Sequence, residues 1–309
     1  KAPRLAGDDD RRAELRNRRQ APERPLERGG AAEERYVLLG VLAPRHYSGS
    51  NSSHLGLFSL LYSRLPLVYD VVLDAGLPTT AVDLFRQLGY RSAFVSSGGI
   101  EAWKRMDQFL GERVFDRVIL HTATRAPRWK QWPDCDRQTL DSIRKLASEP
   151  GPHFIVGFLM TTHFPYPYPA GFERFAPVSH EDELPNWDQL FRARLDREKL
   201  WNRYRNASLS LEAQLVDFAA ALDPARNLIA ITGDHGEALY DRGYFGHSYF
   251  LHDDEMRVPL IVWYGDKLTP HRVTRPVALS DIAPTILDYA AMPPHDAWAK
   301  SPALSGHSM

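Results

Sequence analysis

The stretch "NLIAITGDHGE", Asn227 to Glu237, decides how this chain is read. Leu228–Thr232 is an apolar run too short for a helix and opens directly into Gly-Asp-His-Gly. A short, near-continuous apolar run bounded by breakers has the character of a central strand covered by helices on both faces. Upstream, "RNASLSLEAQLVDFAAALD" has a helical apolar period, and "HFIVGFLM" (His153–Met160) is a second run of the strand type. Downstream, "VPLIVWY" (Val258–Tyr264) is a third. The order strand–helix–strand predicts an α/β fold built on a mostly parallel sheet.

Further elements fit that class. "TTAVDLFRQLG" places Ala81, Leu84, Phe85 and Leu88 at helical spacing, with Thr80 and Asp83 as a capping box and Gly89 as the stop. "YRSAFVSSGG" reads as a strand, and "RYVLLGVLAP" as a short apolar strand ended by Pro44. Residues 1–35 hold 18 charged residues and no aromatics, so they cannot bury enough apolar surface to order themselves. That segment is read as disordered or aberrant, and 36–309 as the folded domain. The formal charge of −1 excludes a strongly basic nucleic-acid binder, and the single Cys135 excludes a disulfide framework or a cysteine zinc cluster. No apolar run approaches the roughly 20 residues of a membrane span.

Ligands of open parallel sheets gather outside the carboxyl ends of the strands. Three polar clusters fall at such ends. "TTHFPYPYP" offers Thr161, Thr162 and His163, and "GDHGE" offers Asp234 and His235, with His247 and His252 further on. "YSGSNSSHLGLFSLLYS" brings Ser52 and Ser53 to the start of a helix whose apolar face is Leu57, Leu60 and Leu61. Backbone N–H groups at a helix start favour an anion. A carboxylate beside an imidazole suits a divalent cation, which activates a hydroxyl as nucleophile. Together these parts point to phosphoryl or sulfuryl transfer. Each alone also fits a plain structural role, with Asp-His-Gly as a turn and the serines as helix caps.

"TGDHGE…GHS…E…RVPLIVWYG" resembles the metal-binding signature of the sulfatase / alkaline-phosphatase superfamily. The similarity extends through "MTTHFPYPYP", "LFRQLGYRSAFVSSG", "YRNASLSLEAQLVDF" and "LSDIAPTILDYAAM". "HYSGSNSSHLGLFSLLYSRLP" is similar to the corresponding stretch of membrane-anchored, sulfatase-like envelope proteins, a group that includes phosphoglycerol and phosphoethanolamine transferases. The resemblance implies an alkaline-phosphatase-like fold, a large sheet between helical layers, and one divalent metal ion (Zn, Mn, Mg or Ca). It implies Ser53 as nucleophile and metal ligand, with Asp234 and His235 also on the metal. His163 is implied as the catalytic histidine, and His247 and Thr162 as substrate contacts. The implied substrate is a small-molecule or lipid-headgroup ester, and the implied location the periplasm or outer face of the inner membrane, with membrane association of the full-length protein. The alternative is a catalytically inactive domain that binds lipid or a protein partner in the envelope.

Two departures shape these expectations. Ser53 is followed by "HLGLF", without the Pro and Arg of the formylglycine motif, so a hydroxyl nucleophile on a phosphoester is expected. The family's first strand ends in an acidic metal ligand, whereas "RYVLLGVLAPRHYSGS" has no Asp or Glu before the nucleophile loop. Part of the first-strand region is therefore expected to be missing, through a deletion or an error of reading frame or gene start.

Overall fold

The computed structural model describes residues 41–100, 103–125, 127–185, 195–264 and 268–289. The expectation for residues 1–35 lies outside them. In chain order the main elements are β1 (Val41–Leu42), β2 (His46–Tyr47), α1 (Ser53–Tyr62), α2 (Tyr69–Asp74), α3 (Thr80–Gln87) and β3 (Arg91–Ser96). Then come α4 (Asp107–Leu110), β4 (Arg117–Leu120), α5 (Trp132–Ala147), β5 (His153–Phe158), α6 (Arg197–Ala221) and β6 (Ile229–Thr232). The chain closes with β7 (Ala238–Leu239), β8 (Phe245–Gly246), α7 (Asp253–Met256), β9 (Leu260–Trp263), β10 (His271–Arg272), β11 (Val277–Ala278) and α8 (Ile282–Tyr289).

The strand–helix alternation read from the sequence is present. β3 pairs in parallel with both β4 and β5, giving the order β4-β3-β5. Alternate residues of these strands point to opposite helical layers. Phe94, Phe154, Val156 and Phe158 pack with Leu57, Phe58 and Leu61 of α1. Ala93, Val95 and Ile155 face Leu146 and Ile143 of α5. That two-sided burial is why these strands read as continuous apolar runs.

The second ladder departs from a purely parallel pattern. Its order is β10-β1-β9-β6, and β9 lies antiparallel to both β6 and β1. "VPLIVWY" is a strand as expected but not a parallel one, because a strand apolar on both faces carries no mark of its direction. The helix at Thr80 also starts differently. Its N-cap is Thr79, whose buried hydroxyl lies near Tyr62 Oη and the Phe109 carbonyl instead of capping the helix.

Between the ladders the sheet is interrupted. Among the described residues β5 pairs only with β3, and β6 only with β9. Their open edges border a cavity of about 650 Å³ whose walls include every residue of both strands. All four residues of β6 are consequently only half-buried.

His46 shows how tightly the loop before Ser53 is anchored. It is fully buried on β2, paired in parallel with Val277 of β11, and its backbone carbonyl accepts from Val258 N at 3.0 Å. Burial lowers its pKa to about 4, against weaker opposing contacts with the Ala278 and Val258 backbone. The folded state therefore holds His46 neutral, while the unfolded chain takes up a proton below pH 6.5. Stability from this group is complete above pH 6.5 and is lost as pH falls towards about 4, by roughly 3 kcal/mol in total. Urea midpoints across that window are expected to fall with pH in the wild type, with a shallower slope in His46→Gln.

Candidate active site

The carboxyl ends of β5 and β6 and the amino end of α1 meet at one place. Ser53 is the first residue of α1, after an extended Ser52 at the N-cap. Its Oγ stands 3.1 Å from His235 Nε2. His235 Nδ1 lies 2.8 Å from the Gly236 carbonyl, which can only accept, so Nδ1 carries the proton. Nε2 therefore presents its lone pair to Ser53.

The same logic fixes His163, whose Nδ1 donates to the Phe164 carbonyl at 2.8 Å. Burial lowers its pKa, so this imidazole is neutral with Nε2 as an acceptor. His247 behaves oppositely. Burial works against its charge, but the Glu237 carboxylate, with Oε1 2.8 Å from Nδ1, outweighs it and raises the pKa. The three rings form one cluster, with His235 and His247 centred 4.1 Å apart and His163 and His247 6.0 Å apart.

Asp234 carries the clearest sign of an absent partner. Its Oδ1 accepts from His235 N at 3.1 Å, while Oδ2 is buried with no hydrogen-bond partner. Oδ2 lies 3.7 Å from His235 Nε2. A buried carboxylate oxygen without a donor is costly. Beside an imidazole lone pair and a serine hydroxyl it makes a three-donor set of the kind that holds a divalent cation with an open position. The set does not grow further within the described residues, where no group of three or more His, Cys, Asp or Glu side chains could hold a metal. β1 ends in Leu42-Ala43-Pro44 and brings no carboxylate.

Close backbone contact sets this geometry. Gly56 of α1 sits on the backbone of Asp234, where a Cβ would come within 2.1 Å of the Asp234 carbonyl oxygen. Ser48 Oγ also donates to that carbonyl. Among the other expected residues, Ser52 Oγ turns to His54 Nδ1 at 3.0 Å, and His252 stands at the N-cap position of α7 with its ring stacked on Phe250 instead of capping the helix. Thr162 lies at the head of the cavity between β5 and β6.

Three carboxylates were not given roles by the sequence. Glu237 receives both His247 and Tyr166 Oη, the latter at 3.0 Å. Asp136, fully buried on α5, accepts from the Met160 and Thr161 amides at 2.8 and 2.9 Å and so holds the loop carrying His163. Glu255, also fully buried, accepts from Asn51 Nδ2 at 2.8 Å and Tyr244 Oη at 2.8 Å. It further accepts from the Tyr249 and Phe250 amides at 3.3 and 3.2 Å. It thus ties the loop before Ser53 to the loop after His247.

Residues 34–292 match the sulfatase family model, and the chain belongs to that family. It is 25% identical over 249 residues to arylsulfatase K of Canis lupus familiaris, covering 68% of this chain and 46% of that protein. The chain thus spans about half the length of that relative. In structure it is similar to the zinc complex of the C-terminal periplasmic domain of EcEptC from Escherichia coli (TM-score 0.61, 19% identity, 80% of this chain and 70% of that one). It is also similar to the phosphonate monoester hydrolase of Agrobacterium radiobacter (TM-score 0.64, 16% identity, 89% and 70%). The fold is alkaline-phosphatase-like.

Glu255→Gln is expected to destabilise the protein by roughly 2–3 kcal/mol in chemical denaturation, because an amide NH2 would face donors that now reach a carboxylate.

Proposed function

We propose that this chain is a hydrolase or phosphotransferase that acts on a phosphoester, or less readily a sulfate ester, through a Ser53-bound intermediate. The observation that carries this reading is the meeting of Ser53 Oγ, His235 Nε2 and the unpaired Asp234 Oδ2 at the start of α1. Those three residues would hold one divalent cation. Bound there, it supplies a lower pKa for the serine hydroxyl and positive charge for the transferred group.

The chain's own groups account for the remaining steps. Ser53 Oγ, its hydroxyl proton passing to solvent, forms the new bond to phosphorus as the bond to the leaving oxygen breaks. The backbone N–H groups at the start of α1 face the non-bridging oxygens. His247, held towards its charged form by Glu237, donates its proton to the departing oxygen. His163, which donates from Nδ1 to the Phe164 carbonyl and is held towards its neutral form by burial, takes the proton of the water or alcohol that displaces Ser53. Thr162 is assigned to substrate contact.

An apolar ester partner, such as a lipid, fits the rim. Trp103, 54% exposed, meets the ring of His54 at 5.3 Å, next to Ser53. Phe250, 52% exposed, has its carbonyl on Asn51 at the other side. Such a substrate is consistent with a location in the periplasm or at the outer face of the inner membrane. A second reading rests on β1's lack of a carboxylate: a catalytically inactive domain that binds a lipid headgroup or a protein partner in the envelope.

Metal analysis of the purified protein with turnover of an aryl phosphodiester separates the two readings. The enzyme reading expects stoichiometric metal and a loss of roughly 10³-fold or more in kcat for Ser53→Ala. Absent metal and turnover indifferent to Ser53 would sink it. Trp103→Ala and Phe250→Ala are expected to raise KM for a lipid phosphoester and leave that for a small aryl ester unchanged.

A further inference from the structure

The turn Trp103–Arg105 stands beside the helix that carries Ser53, in a backbone conformation that few residues adopt. Lys104 and Arg105 are both left-handed, with φ of 50° and 64°. A side chain with a Cβ crowds its own carbonyl there, so such residues persist where their neighbours fix them. The neighbours do so here. Tyr69 Oη of α2 donates to the Lys104 carbonyl. Arg105 is clamped by Asp70 at 3.3 Å, Asp74 at 2.8 Å and Gln108 Oε1 at 3.1 Å. Trp103 and Tyr69 both close on the ring of His54, at 5.3 and 5.4 Å, and His54 follows Ser53 directly.

The clamp leaves Lys104 over. Its side chain is exposed, and it has no carboxylate partner among the described residues. It stands close enough for its charge to act on the His54 imidazole. The two carboxylates of α2, Asp70 and Asp74, are taken by Arg105. Ser53, Thr162, His163, Asp234, His235 and His247 include no Lys or Arg, so Lys104 brings a permanent cation to the rim of a cluster that has none of its own.

We propose that Lys104 determines specificity by taking a second phosphate of the substrate, while the ester to be cleaved lies at Ser53. The substrate is then a bisphosphorylated ester, with its second phosphate on the Trp103 side. An ammonium group is a compact point charge with three donors, which suits one oxygen of a tetrahedral phosphate. Glycine at 104 would remove the backbone strain, so the lysine costs stability at the place where its charge is wanted. The assignment rests on the ester chemistry proposed for Ser53, but its test needs no turnover.

Calorimetry of the full 309-residue chain with zinc present compares alkanediol bisphosphates of increasing length with the matching hydroxyalkyl monophosphates. The best bisphosphate is expected to bind about tenfold more tightly than its monophosphate, the contribution of one charge-assisted hydrogen bond. That preference should shrink as salt is added. Lys104→Met and Lys104→Gly should each bring the two ligands within about twofold of one another. Lys104→Gly should also raise the thermal midpoint by releasing the left-handed strain. A lysine with a purely structural role would change the midpoint and leave the preference in place. No bisphosphate preference in the wild type, or one that either variant keeps, overturns the proposal. A preference lost with Lys104, in a protein whose ester turnover ignores Ser53, overturns the Ser53 chemistry alone and leaves the Lys104 site standing.

Discussion

The site depends on one close approach, that of α1 to the end of β6. At Gly56 the helix rests on the Asp234 carbonyl with no room for a side-chain carbon. That contact brings the first residue of the helix to 3.1 Å from His235. The remaining parts are arranged around it. Glu255 ties the loops that flank Ser53 and His247, and Asp136 fixes the loop that carries His163.

The three histidines show how one fold gives similar side chains different work. Each has its Nδ1 committed, but to different acceptors. A backbone carbonyl leaves His163 neutral under burial, whereas the Glu237 carboxylate holds His247 towards the charged form. Pairs of titratable groups driven apart in this way are the usual means of assigning acid and base. Here the assignment follows from what lies behind each ring.

The strand ends were legible because several apolar runs stop at polar clusters, although Gly-Asp-His-Gly alone also fits a turn. Ser53, His163, Asp234, His235 and His247 could all be marked by their place after such runs. Glu237, Glu255 and Asp136 could not, since their partners are backbone amides and side chains distant in sequence. A buried carboxylate looks like a solvated one until the fold closes over it. The antiparallel sense of β9 was equally hidden, as its apolar pattern is the same in either direction. The absence of a carboxylate after "YVLLGVL" was visible in the sequence, but the cavity between β5 and β6 was not. It arises from how two ladders face each other.

The central claim is that Ser53, Asp234 and His235 form one cation-binding set while His163 and His247 stand apart from it. Nitrogen-15 spectra of the histidine rings during titration with zinc test this most directly. The account predicts that His235 Nε2 shifts to a metal-bound position with one equivalent of zinc, with Nδ1–H retained on all three rings. Zinc that shifts His163 or His247 first, or leaves His235 unchanged, would contradict it.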